Sequence, residues 1–137
     1  MGYTLQVDDR RRRMTVVLHD VITLRDLLGY VDDIVTRGYW AWPTIIDTTA
    51  ALGLDVGAEG ALAFARHIAG YPGRGPVVMV AATRGAKHLG ASLMGASRVA
   101  VHGHMERRQI LDSLEAAHAW LDGQTAAPLA DVDGGER

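Results

Sequence analysis

The chain has 137 residues, 48% of them hydrophobic and 22% charged, which is enough apolar material for one globular domain with a single core. A formal net charge of -2 provides no basic field for nucleic acid, and the run Arg10–Arg13 stands beside Asp8 and Asp9, so we interpret it as a solvated hairpin tip. The absence of cysteine excludes disulfides, thiolate catalysis and cysteine-ligated zinc. With neither a signal-peptide pattern nor an apolar run of the roughly 20 residues that span a membrane, we expect a soluble cytoplasmic protein.

The hydropathy pattern predicts nine elements in the order ββαβαβαβα. Alternating or fully apolar runs predict strands over residues 3–7, 14–18, 43–47, 77–82 and 98–102. A period near 3.6 predicts four helices: one capped by Thr23 with Asp26 as its capping-box partner, one after a loop over residues 48–57, one from Thr83 and one from about Glu106. Glycines mark the predicted helix ends, at Gly38, Gly70, Gly95 and Gly123.

Strands separated by helices run parallel through right-handed crossovers, whereas an opening hairpin is antiparallel. We therefore expect one α/β domain over residues 1–123, with a mixed sheet of about five strands covered by four helices. Ile110 and Leu111 are placed on the inner face of the last helix. Residues 124–137 are rich in Ala, Asp and Gly without an apolar period, which predicts a disordered tail.

Two local sequences, together with the element order and the length, resemble a known family. The predicted strand over 44–47 ends in an acid, Asp47, and the last helix closes with Ala-Ala-His-Ala-Trp-Leu at residues 116–121. This pattern resembles the SpoIIAA-like branch of the STAS superfamily. The resemblance implies that fold and a non-enzymatic regulatory or protein-interaction domain. Its better-studied relatives are anti-sigma factor antagonists, which dock onto a kinase-like partner and are switched by phosphorylation of a serine at the start of the second helix.

The chain departs from that family at the phosphorylation motif. Where the relatives carry an Asp-Ser-Ser-Gly-like motif, residues 54–60 read Leu-Asp-Val-Gly-Ala-Glu-Gly, without a hydroxyl. A phosphoserine switch at that point is chemically impossible, although a role in binding an unknown protein partner survives its loss. The nearest hydroxyls, on Thr48 and Thr49, are interpreted as satisfying backbone groups where the strand stops.

A second hypothesis concerns the edge of the sheet at which parallel strands end, because ligands of α/β proteins bind there. The prediction gathers a candidate ligand-binding cluster at this edge: Asp47, Thr48, Thr83, Arg84, Lys87 and His102. Backbone amides at the helix start near Thr83, helped by two cations, suit a carboxylate or a phosphate. The alternative function is thus a small-anion or nucleotide-binding protein, which could be an enzyme. The simpler interpretation is that Thr83 only caps its helix and the cations are solvated.

Other sites are weighed on weaker patterns. His102 and His104 alternate across Gly103 and could hold a metal with Asp47, but ordinary surface histidines are the simpler interpretation, so we predict no metal and no cofactor. No catalytic residue is assigned, because no nucleophile stands with a base. Phosphoacceptor receiver domains also carry an acid at a strand end, but the expected lysine after the last strand is missing. Carriage of an apolar ligand is a third hypothesis, which the short chain makes less favourable.

The aromatic residues Tyr39, Trp40 and Trp42 gather just before the third predicted strand. Capping of the core is the simpler interpretation of this cluster. If the rings are exposed, they form a partner surface for another protein or for a homodimer, because aromatic residues dominate interface energetics.

Overall fold

In a computed structural model of the chain, five strands form one mixed sheet in the order β1-β2-β3-β4-β5. The structure describes residues 2–81, Lys87 and residues 108–135, with the backbone alone for residue 108 and residues 125–135. The strands are β1 (Tyr3–Asp8), β2 (Arg13–Thr23), β3 (Thr44–Asp55), β4 (Val77–Val80) and β5 (Arg108–Leu111). The helices of the described residues are α1 (Leu24–Thr36), α2 (Gly57–Ala69) and α3 (Leu114–Gly135).

The strand pairing confirms the predicted mixed sheet. β1 and β2 pair antiparallel, with Tyr3 opposite Leu18 and Asp8 opposite Arg13, whereas β2, β3, β4 and β5 pair parallel in that order. The hairpin turn over residues 9–12 places Arg12 in the left-handed region, at φ 54°. Parallel strands need a crossover of a dozen or more residues, and α1 and α2 supply the first two crossovers.

Apolar side chains fill both faces of the sheet. Neighbouring residues of a strand point to opposite faces, so Ile46 packs in the core with α1 and α2, while Ile45 packs in a second cluster with α3. The larger cluster holds Val31 and Ile34 of α1 and Phe64 of α2, so each of these two helices buries one apolar face, as the predicted helical period implies. None of the helices in the described part of the chain is long and apolar enough to cross a lipid bilayer.

The predicted start of the first helix is confirmed in detail. Thr23 Oγ1 accepts a hydrogen bond from the Asp26 amide at 3.2 Å, and Asp26 Oδ2 accepts one from the Thr23 amide at 3.0 Å, which completes the capping box. The amide of Gly2 also donates to Asp26, at 3.2 Å. These backbone donors hold the pKa of Asp26 below its ordinary value, so the carboxylate ties the start of the chain to α1.

The predicted end of the third strand at Asp47 was wrong. β3 continues to Asp55, through the whole stretch for which a loop was predicted, and β2 continues to Thr23 beside it. The reason is pairing: beyond the point where β4 ends, β2 and β3 form a ribbon that has two strands among the described residues, with two register shifts. That pairing satisfies backbone groups that a single polar segment would otherwise leave to water, so residues of low strand propensity are carried into the strand.

The C-terminal elements also differ from prediction. Ile110 and Leu111 lie in β5 rather than on a helix, and α3 begins only at Leu114, where Ser113 Oγ accepts the Ala116 amide at 3.1 Å. A short apolar pair fits either period, which is why the assignment failed. Gly123, predicted to end the last helix, lies inside α3, whose backbone runs to Gly135. The disordered tail stays a prediction. The domain limit at residue 123 stays a prediction.

The predicted strand over 98–102 and the predicted helix from Thr83 to Gly95 lie outside the described residues. The described residues contain three helices, so the expected fourth stays a prediction.

Candidate functional site

The predicted ligand-binding edge at Asp47 is a filled corner in the described part of the chain. Asp47 is 7% exposed, and its Oδ1 accepts hydrogen bonds from the Thr49 amide at 3.0 Å and the Thr49 hydroxyl at 2.7 Å. The hydroxyl of Thr48 donates to the Val80 carbonyl at 2.6 Å, across the last pair of residues that β3 and β4 share. The Thr48 hydroxyl therefore satisfies a backbone carbonyl, as the sequence interpretation expected, whereas the Thr49 hydroxyl binds a carboxylate, and the strand continues past both residues.

The other members of the predicted cluster do not assemble around Asp47 in the described residues. Thr83, Arg84 and His102 lie outside them, as does His104. Lys87 is described, and its Nζ lies 2.6 Å from Oδ1 of Asp112, which directly follows β5. Within the described ranges, no group of three or more His, Cys, Asp or Glu residues could hold a metal. The anion site at this edge therefore stays a prediction.

The predicted partner surface of Tyr39, Trp40 and Trp42 is largely a cap on the core. Trp40 is 9% exposed, and its Nε1 donates to the Tyr71 carbonyl at 2.9 Å. The guanidinium of Arg74 lies 4.2 Å from the centre of the Trp40 ring. Because these contacts bury the ring, Trp40 cannot serve as an exposed docking residue. This result favours the core-capping alternative from the sequence.

Tyr39 and Trp42 are half-buried and pack on each other, with ring centres 4.5 Å apart. The Arg12 guanidinium lies 5.4 Å above the Trp42 ring. A cation over the face of an aromatic ring is attracted by its quadrupole, so the hairpin tip is held against this cluster.

The start of α2 has no side-chain cap. Val56 occupies the N-cap position and makes no side-chain hydrogen bond to the helix, and Gly57 follows at φ 72°. Asp55 and Glu59 are both exposed beside it. With no hydroxyl between residues 54 and 60, this helix start offers a surface of backbone amides and carboxylates but no phosphoacceptor.

Two large apolar side chains are exposed to solvent at the edge of the sheet that leads into α2. Val21 is 51% exposed on β2, and Leu52 is 79% exposed on β3. Their strands are paired, with Val21 opposite Gly53 and Leu52 beside Gly53 at a register shift, so the two positions are neighbours on the ribbon that leads into α1 and α2. Contiguous apolar surface left in water marks protein interaction sites, so these two neighbouring positions are the candidate docking surface among the described residues.

A buried arginine was missed by the sequence analysis. Arg13, taken as part of a solvated tip, is 5% exposed, and its two terminal nitrogens bind different residues of α3. Nη1 lies 2.7 Å from His118 Nδ1, and Nη2 donates to Asp122 Oδ1 at 2.8 Å. His118 and Asp122 are four residues apart, one above the other on a single helix face, and this spacing was the available signal. The interpretation of the whole run as solvated was therefore wrong for Arg13, because the strand alternation directs it toward α3.

The electrostatics of this cluster favour a neutral imidazole. Burial is the largest cause of the lowered pKa of His118, and the positive charges of Arg13 and Arg11 lower it further. The pKa of Asp122 is also lowered, chiefly because Arg13 donates to its carboxylate. Since a guanidinium can only donate, His118 Nδ1 is the acceptor in its contact with Arg13, and the ring proton is on Nε2.

Lowering the pH from about 7.5 to about 5.5 is expected to destabilise the protein through His118. The folded pKa lies below the ordinary value of 6.5, so the unfolded chain takes up the proton more readily. The stabilisation that the folded protein gains from a neutral His118 is complete above pH 6.5, and it is lost as the pH falls through the pKa of His118 in the folded protein. Urea denaturation at a series of pH values measures it. His118→Gln keeps an oxygen that accepts from Arg13 and should show a shallower loss, whereas parallel curves would contradict the prediction.

Comparison with known proteins addresses the fold. No protein-family model and no curated protein matches the chain. The solved structures that match include one described as the structure of the anti-sigma factor antagonist SpoIIAA in its unphosphorylated form. Its TM-score is 0.52 at 10% sequence identity, over 90% of this chain and 98% of that chain. At this identity the likeness concerns the arrangement of helices and strands. The chain therefore has a SpoIIAA-like fold, as the resemblance in its sequence implied.

Proposed function

We propose that the chain is a non-enzymatic regulatory domain that binds a partner protein at the edge where β2 and β3 end and α2 begins. The observation that carries the proposal is the pair of exposed apolar side chains, Val21 and Leu52, on neighbouring strands at that edge. The similarity in fold to an anti-sigma factor antagonist supports a regulatory role for this edge. The edge includes the start of α2, and in the family that the sequence resembles the regulatory serine lies at the start of the second helix.

The charges around this apolar pair indicate the chemistry of the partner's binding surface. Asp20, Asp55 and Glu59 are exposed on β2, β3 and the first turn of α2. An apolar centre with an acidic rim matches a partner surface that is apolar in the middle and basic at its border. Such complementarity increases the rate of association and selects among partners, while the apolar centre supplies most of the affinity.

The regulation of this domain differs from a phosphoserine cycle. Residues 54–60 carry no hydroxyl, so a kinase has no group to modify at the start of α2. We infer that binding at this edge persists in the presence of ATP. The hydroxyls of Thr48 and Thr49 are engaged in hydrogen bonds with Val80 and Asp47, which makes them poor substitutes.

Leu52→Asp is expected to weaken partner binding by about tenfold or more, because it places a charge in the apolar centre of the interface. The fold should persist, since a side chain that is 79% exposed has few contacts to lose. The test places a photo-crosslinking amino acid at residue 52 in the native host, identifies the protein captured, and then measures its affinity for purified wild-type and variant domains.

The matched control is Leu114, which is also exposed, at 42%, but lies at the start of α3 on the other face of the sheet. Leu114→Asp should bind the captured partner like the wild type. Equal weakening by both variants would contradict docking at Leu52. Loss of the complex on addition of ATP, with phosphate on Thr48 or Thr49, would contradict a mechanism without a switch.

A further inference from the structure

The hairpin tip and α3 border an open groove of about 710 Å³. Its lining includes Arg10, Arg11 and Arg13 from the tip and His118 from α3. The groove lies at the edge where the parallel strands begin, and the proposed docking surface lies at the edge where they end. The two surfaces are therefore separate.

Two guanidinium groups converge on one neutral nitrogen in this groove. Nη1 of Arg13 lies 2.7 Å from Nδ1 of His118, and Nη1 of Arg11 lies 3.3 Å from the same atom. A neutral imidazole nitrogen has a single lone pair, so it satisfies only one strong donor. Two cationic donors thus share one neutral acceptor.

The remaining contacts leave donor capacity unused. Nε of Arg13 is buried and has no hydrogen-bond partner among the described residues, although the other two nitrogens are bound. The Arg11 side chain is 56% exposed, and its Nε lies 3.9 Å from Asp8, whose Oδ1 already accepts the Arg11 amide. The lining of the groove contains three arginines and two carboxylates, those of Asp8 and Asp9, so positive charge is in excess there.

We propose that this groove binds a tetrahedral dianion of the phosphate or phosphate-monoester type, held between Arg11 and Arg13. Three or four oxygens give each guanidinium its own acceptor, and planar guanidinium groups donate to such oxygens in pairs. Arg13 is fixed in advance by Asp122, so little side-chain freedom is lost on binding. Arg11 is the exposed residue that turns from His118 to the ligand.

Binding of the dianion is coupled to protonation of His118. The charged groups that face this imidazole are Arg11, Arg13 and Asp8 from the hairpin and Asp122 from α3. A bound dianion offsets the positive charges of Arg13 and Arg11 that lower the pKa of His118, and its oxygens accept the guanidinium N–H groups in place of Nδ1. That nitrogen is then free to take up a proton, so the pKa rises on binding. Affinity therefore increases as the pH falls toward the ordinary pKa of histidine.

The test titrates the intact chain with inorganic phosphate and with phosphoserine at constant ionic strength, following the His118 ring protons by NMR. Both ligands should raise the pH at which His118 titrates, and Arg11→Ala should weaken binding by about tenfold or more. The matched control is Arg25→Ala, which removes an exposed arginine of α1. Unchanged His118 titration would overturn the proposal, as would equal weakening by both variants.

Sulfate provides the second measurement, because it stays a dianion over the whole pH range and its pH dependence reports the protein alone. Calorimetric affinity for sulfate should rise in the wild type as the pH falls, and it should stay constant in His118→Gln, which cannot be protonated. A wild-type affinity for sulfate that does not change with pH would overturn the coupling to His118.

Discussion

Replacing Leu121 with alanine is expected to lower the free energy of unfolding by about 3 kcal/mol. Leu121 is fully buried on α3 and packs in one cluster with Ile45 and Val78 of the sheet. Alanine leaves a cavity between the helix and the sheet, so both the transfer energy of the lost methyl groups and the packing contacts around them disappear. Urea denaturation followed by far-ultraviolet circular dichroism measures the change in midpoint.

The same deletion at an exposed position is the control. Leu114→Ala removes the same atoms from a side chain that is 42% exposed on the same helix, and we expect a loss of less than about 1 kcal/mol. A loss at Leu121 as small as the loss at Leu114 would mean that α3 adds little to the core. A full effect at Leu121 alone would establish this helix as the cover of its face of the sheet.

The elements that could be predicted are those with strong local signals. The first helix has a capping pair, Thr23 and Asp26, followed by apolar residues at helical spacing, and both features act within a few residues of chain. The buried strand β4 is a continuous apolar run between turn residues. In such segments local preference and tertiary packing favour the same structure, so the sequence alone is informative.

The extension of β3 beyond Asp47 depends on a partner strand, which the local sequence does not reveal. The residues after Asp47 include two threonines, two alanines and Gly53, and they form a strand because β2 lies beside them. Strand formation is more sensitive to such context than helix formation. The same effect explains Ile110 and Leu111, which β4 recruits into the sheet.

The cluster around Arg13 was missed for a different reason. Four consecutive arginines look alike in sequence, and the difference between them arises from the strand alternation and from a helix 105 residues further along the chain. A search for polar pairs at helical spacing beside the inner face of the last helix would have found His118 and Asp122. Burial of the arginine itself could be read only from the fold.

The two proposed surfaces bind their ligands through different kinds of interaction. Leu52 acts through apolar contact at one edge of the sheet, whereas Arg11 and His118 act through charge at the other. High salt should therefore weaken the anion site strongly and the docking surface only slightly, since exposed charges are screened and apolar burial is not. A variant at one edge should leave binding at the other intact.

Gly75→Ala is expected to destabilise the protein by about 3 kcal/mol, because the position has no room for a side chain. A Cβ atom there would overlap the carbonyl oxygen of Ala41 and lie 2.8 Å from its carbonyl carbon and 2.9 Å from the Trp42 oxygen. These are backbone atoms, so no rotation of a side chain can relieve the clash. The Gly75 amide also donates to the Trp40 carbonyl at 3.2 Å, which fixes the two loops against each other.

Thermal and urea denaturation would measure this loss, and tryptophan fluorescence would report it locally, because Trp40 is packed at the same contact. Gly53→Ala is the matched control: a Cβ atom there meets open space, and an alanine in a strand removes backbone freedom from the unfolded chain. It should leave stability unchanged or slightly higher. If Gly75→Ala behaved like Gly53→Ala, the loop before β4 would have to move away from Ala41, and the close backbone contact would not be what holds the aromatic cap on the core.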